Sequence, residues 1–245
     1  AGVNVIEMDS GTLQIPTVTD DGAASVVAEG AAIPLTDMQV ADTGFKAHKI
    51  ARGIKITSEL LEDSAADARQ AVSDALTRSV ATAVDDYFFN GTGVNQPLGI
   101  LKAPGVVSTP LSAPATLDNI ADEMAAIEAY GGTVKSILVD PQTFNAIRKM
   151  KASGSGVYHS SPFVATDGPS QAWGAQLIGA PRLPAGTVVL MDPAYIHVGL
   201  RRNVMVAYSD QVLFMQDSDA AKITTRWAGV GLADPKAVRV LTKAV

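Results

Sequence analysis

The longest periodic stretch of the chain runs from Asp67 to Phe89. Apolar residues recur there at three- and four-residue steps: Ala68, Ala71, Val72, Ala75, Leu76, Val80, Ala83, Val84, Tyr87 and Phe88. That spacing is one face of an α-helix, and alanine favours the helical state. At 1.5 Å per residue the helix is a rod of about 35 Å. Any fold for this chain must lay other elements along that rod. Asn90-Gly91-Thr92-Gly93 ends it with residues that tolerate left-handed backbone.

The segments on either side read differently. Before the rod, Leu13-Gln14-Ile15 is strand-like and is expected to stop at Pro16. Ser25 to Gly30 is followed by a turn-rich stretch through Pro34 and Asp37, and then by an extended run from Phe45 to Thr57. In that run Ile50, Ile54 and Ile56 share a face with Arg52, while Lys49, Ala51, Gly53 and Lys55 occupy the other. A polar hairpin of this kind has little apolar surface and is expected to project and find its partner elsewhere. After the rod come four prolines (Pro97, Pro104, Pro110, Pro114) and then alternating helix and strand. Thr116 opens a helix with Leu117, Ile120, Ala121, Met124 and Ile127 on its face, and Gly131-Gly132 closes it. Val134–Val139 is a short buried strand, and Asp140-Pro141 caps the next helix. Ser153 to Ser170 reads as loop, and the remainder as strands at 187–191, 196–200, 204–208, 212–216, 222–232 and 238–242. The class is α+β with two lobes.

Composition narrows the function. There is no cysteine, so disulfides, thiolate metal sites and cysteine nucleophiles are excluded. Charged residues are 18 % and aromatics 5 %, and 19 basic against 25 acidic residues give a net charge of −6. A general nucleic-acid binder would carry a basic footprint. No run approaches the roughly 20 apolar residues of a membrane span. The start, Ala1-Gly2-Val3-Asn4-Val5-Ile6, has no basic, apolar signal-peptide pattern. Lacking a methionine, it is expected to begin part-way through an ordered sequence, after proteolytic processing or behind a leader outside it.

Each motif that suggests chemistry has a plainer reading. Asn90–Pro97 is glycine-rich, yet it follows a helix, whereas a phosphate loop precedes one and ends in Gly-Lys-Ser/Thr. Gly154-Ser155-Gly156 lacks the spacing of a nucleophile elbow. His159 and His197 have no placed carboxylate neighbour, and three histidines in all, with His48, leave little material for metal chemistry. Glu59–Asp63 reads as the acidic start of a helix and Asp217-Ser218-Asp219 as a turn. Arg201-Arg202 fits an exposed strand end better than a phosphate clamp. No catalytic, cofactor-binding or metal residue is assigned.

Several segments, in order, resemble the major capsid proteins of tailed bacteriophages with the Hong Kong 97-type fold. They are Val26–Pro34; Lys49–Thr57 running into Ser58–Asp63; Phe89–Leu101; Leu138–Phe144; Leu177–Pro181; and an expected strand pair from Arg226 to Leu241. The resemblance implies a remnant of an N-terminal arm at 1–23, an extended-loop hairpin at 24–56 lying over a neighbour, and a peripheral domain with its spine helix at 57–115. It further implies an axial domain at 116–203, and return strands of the peripheral domain with a C-terminal strand at 204–245. The function implied is a structural, non-enzymatic subunit that self-assembles as hexamers and pentamers into an icosahedral shell. That shell encloses double-stranded DNA without sequence-specific binding, in a virion assembled in the host bacterial cytoplasm. Implied partners are further copies, a portal, and scaffolding, protease and decoration proteins; no membrane and no cofactor are implied. An encapsulin-like nanocompartment enclosing cargo enzymes shares the fold and is the alternative; an α+β hydrolase has no motif behind it.

Some relatives join subunits by a bond between a hairpin lysine and an asparagine, assisted by a glutamate. Here Asp42 stands at the matching lysine position, near Lys46 and Lys49. No glutamate follows Glu128 and no asparagine follows Asn203, so an uncrosslinked shell is expected.

Overall fold

The computed structural model describes residues 2–20, 39–59, 65–113, 115–149 and 171–243, together with 26–27, 30, 33 and 163–164. Two apolar runs decide its centre. Ser136–Val139 (β6) and Val188–Met191 (β10) are buried at every position, the pattern of strands covered on both faces. Their side chains alternate between two cores. Ile137, Val139, Val188 and Leu190 face Ile120, Met124, Ile127 and Ile147. Leu138, Val189 and Met191 face Phe89, Ile100, Ile196 and Val230.

The helices over the first core are Leu117–Glu128 (α2) and Pro141–Arg148 (α3), and both begin where expected. Thr116 and Asn119 form a reciprocal capping box. Asp140 is buried, and its Oδ2 accepts from the amides of Gln142 at 3.0 Å and Thr143 at 3.2 Å, while Oδ1 accepts from Gly186 at 3.1 Å. β6 and β10 belong to a seven-stranded mixed sheet. It also holds Val107–Leu111 (β5), Phe163–Val164 (β7), Gln171–Ala172 (β8), Ala175–Gly179 (β9) and Val238–Lys243 (β13), in the order β5-β13-β10-β6-β9-β8-β7.

A second sheet has the order β1-β11-β12-β4, from Asn4–Glu7 (β1), Ile196–Leu213 (β11), Ser218–Leu232 (β12) and His48–Thr57 (β4). The long helix, Ala65–Asn90 (α1), lies on it; its 26 residues span about 39 Å. Its packed stripe is narrower than the sequence pattern: Val72, Leu76, Val80 and Val84, at four-residue steps, meet Ile54, Ile56, Ala221 and Ile223. Ala71 and Ala75 are exposed and act through helix propensity alone. Arg52, on the isoleucine face of β4, donates from Nη1 to Ser79 Oγ on the helix.

Strand pairing departs from expectation in four places. The run 45–57 is two strands, Gln39–Lys46 (β3) and β4, separated at Ala47; β4 pairs with β12 rather than projecting, and its Ile54 and Ile56 are covered by α1. The free-standing ribbon is instead Thr12–Asp20 (β2) with β3, paired from Thr12↔Lys46 to Asp20↔Gln39. β2 runs through Pro16, which a two-stranded ribbon permits because each strand has an open edge. The strands expected at 196–200 and 204–208 are one strand with register shifts; it runs on to Leu213, and 214–216 is a 3-10 turn. Finally, the expected Arg226–Leu241 strand pair is not formed: β12 and β13 lie in different sheets, and β5 and β13 both join the lobe expected at 116–203. Asp234 Oδ1, accepting from the Lys236 amide at 2.8 Å, caps the 3-10 turn that redirects the chain between them.

Candidate functional site

The histidines occupy separate places. His197, on β11, hydrogen-bonds the Asn4 side chain at 3.3 Å and so ties β1 to the sheet. His48, half-buried at the start of β4, is held below its ordinary pKa, first by burial and then by the Lys46 charge. His159 and Gly154-Ser155-Gly156 lie outside the described residues, as do positions 60–64 of the first acidic cluster. Arg201 Nη1 donates to the Met8 carbonyl at 2.9 Å, while Arg202 is exposed; the pair does not converge on a common point. Asp217 sits at φ +43° with its carbonyl accepting from the Ser58 amide at 3.2 Å, which makes the second acidic cluster a turn between β11 and β12. Among the described residues, no group of three or more His, Asp or Glu is placed to hold a metal ion.

The glycine-rich segment after α1 is the most constrained part of the chain. Asn90 Nδ2 donates to Asp86 Oδ1 and to the Arg182 carbonyl, both at 2.9 Å, so it closes the helix and fastens it to the next lobe. The Gly99 amide then donates to the Gly91 carbonyl at 2.9 Å, pinching the loop shut. A Cβ on Gly91 would lie 2.1 Å from the Pro97 carbonyl oxygen, and one on Gly99 would lie 2.6 Å from the Gly91 nitrogen. The Leu98 carbonyl accepts from Val230 at 2.7 Å, docking the loop on β12. Gly91 and Gly99 serve the close backbone approach within the loop itself. The buried carboxylates of Glu123 and Asp192 have structural partners: Thr109 donates to Glu123 at 2.7 Å, Arg239 lies 3.6 Å from Glu123, and the exposed Lys135 pairs with Asp192 at 3.2 Å.

The sequence matches the phage capsid family over residues 1–243. The chain belongs to that family. Its fold is similar to the capsid of an empty GTA particle, with a TM-score of 0.81 at 19 % identity over 99 % of this chain and 88 % of that one. A chain of Mycobacterium phage Adephagia gives 0.78 at 16 % identity, covering 100 % and 89 %. One of Microbacterium phage Oxtober96 gives 0.77 at 17 %, covering 99 % and 90 %. Among curated proteins, none matches its sequence. The fold is the Hong Kong 97-type capsid fold, and the chain is a phage major capsid protein, a structural subunit of the virion shell.

For a capsid subunit the informative features are the surfaces left uncovered. β1 pairs with β11 at His197–Leu200, and beyond Arg201 that side of β11 has no strand beside it among the described residues. Along and just past this stretch Met205 is 55 %, Val212 72 % and Met215 93 % exposed. The sequence reading took 204–216 as ordinary return strands and missed this surface. Its signal was present: apolar residues at 204, 205, 206 and 208 do not alternate as one buried face requires.

Proposed function

We propose that this capsid protein is the repeating unit of a closed icosahedral shell of hexamers and pentamers that encloses double-stranded DNA. In this reading the β2–β3 ribbon is the extended loop that lies over a neighbouring subunit. The four-stranded sheet with α1 is the peripheral region, and the seven-stranded sheet with α2 and α3 is the axial region gathered at the symmetry axes. The observation that carries it is the ribbon. Among the described residues its strands pair with each other alone, and its base is anchored by Leu13, Phe45 and Ala47 packing on Met8 and Ala228. An isolated two-stranded ribbon is marginal in water, so contact with another copy would supply its stability. Low charge suits this role, because repulsion accumulates over every copy in a shell. Assembly in the bacterial cytoplasm, with portal, scaffolding, protease and decoration proteins, follows from the same reading. Electron microscopy of native particles tests it.

A further inference from the structure

At the base of the ribbon, β3, β4, the glycine loop and β12 enclose an open pocket of about 170 Å³. Lys46 and His48 line it from the strands and Gln96 from the loop, together with Gly93 and Gly229. Among the described residues no acidic side chain lines it. Among the described residues neither Lys46 nor His48 has an ion-pair partner. Two basic groups thus line one pocket, and His48 is held below its ordinary pKa first by burial and then by the Lys46 charge. Gln96 Nε2 donates to Thr92 Oγ1 at 2.6 Å, which holds that side chain at the pocket wall.

We propose that this pocket binds a phosphate group, held by Lys46 and His48. The phosphate comes either from solution or from a nucleic-acid backbone. A tetrahedral phosphate anion accepts several charge-assisted hydrogen bonds at once, which suits an ammonium and an imidazolium approaching from consecutive strands. Its charge would favour the protonated imidazole and reverse the effect of Lys46 on His48. Among the described residues the ionisable side chains lining the pocket are these two, since Gly44, Gly93, Gln96 and Gly229 carry no charge.

The test is a titration of the full-length, isotope-labelled subunit with inorganic phosphate near pH 6, read at the His48 ring and the Gly93 and Gly229 amides. A parallel arm uses a short single-stranded oligonucleotide. The expected result is saturable shifts confined to these residues, with half-saturation in the range of about 1–10 mM, and an upward move of the His48 midpoint. Lys46→Met should weaken binding by about tenfold or more. Gly44→Val should also weaken it by narrowing the mouth, because a Cβ at position 44 meets nothing within 4 Å and the variant should fold. Tighter binding of the oligonucleotide at the same residues assigns the phosphate to a nucleic acid, and phosphate alone assigns it to solution; either supports the site. Absence of saturation to about 50 mM in both arms, an unchanged Lys46→Met, or an equal response to acetate would overturn it.

Discussion

A methyl group added at Gly229 would lie 2.4 Å from the Leu98 nitrogen and 2.8 Å from its carbonyl oxygen. Both atoms are backbone, and the hydrogen bond from Val230 fixes that backbone in place. Gly229→Ala must therefore shift the glycine loop or β12, and it should cost about 2 kcal/mol in urea unfolding of the subunit. Gly44→Ala, with nothing within 4 Å of the new methyl, should change stability by less than about 0.5 kcal/mol. A second residue-scale expectation concerns His48. Its folded pKa lies below the ordinary histidine value of 6.5, so the native state binds fewer protons than the unfolded chain around that pH. The contribution from neutral His48 is then complete above pH 6.5 and is lost as pH falls through the folded midpoint. Nuclear magnetic resonance should place that midpoint below 6.5, and Lys46→Met should raise it.

At the scale of elements, the ribbon and the four-stranded sheet make separable contributions. Replacing residues 22–37, beyond the paired part of β2 and β3, by a short turn removes nothing that the described cores use. The truncated subunit should melt within a few degrees of the parent by calorimetry, yet fail to form particles; outright unfolding would make the ribbon part of the subunit's own fold. Elements whose signal is local were legible in the sequence. The stripe from Val72 to Val84, the Thr116 and Asp140 caps and the runs at 136–139 and 188–191 each carry their pattern within a dozen residues. Pairings set at a distance were not. Lys49 opposes Arg226 across 177 positions, and nothing in 45–57 alone says that β4 joins β12 while β3 joins β2. β5 was hidden by Pro110, which reads as a breaker but is accommodated because β5 is the edge of its sheet. For the site, the glycine loop is legible in the sequence as a turn, but its docking on β12 is not, since the contact that demands Gly229 is with Leu98, far away in the chain.

For the whole molecule, two expectations concern the assembled shell. The first is that its subunits are not covalently joined. No glutamate after Glu128 and no asparagine after Asn203 leaves β12 and the end of β11 without the base and the amide that such a bond needs. A lysine with a pKa near about 10.4 is a poor nucleophile at neutral pH without that help. Mature particles boiled in detergent should give one band at the monomer position, and a ladder of covalent oligomers would contradict this. The second is the architecture itself, and electron microscopy of native particles at subunit resolution tests it most directly. The account predicts a closed icosahedral shell built from this chain, with the seven-stranded lobe clustered at five-fold and six-fold positions and each β2–β3 ribbon lying on a neighbouring copy. A shell whose ribbons fold back onto their own subunit, or particles in which this chain is not the repeating unit, would contradict it.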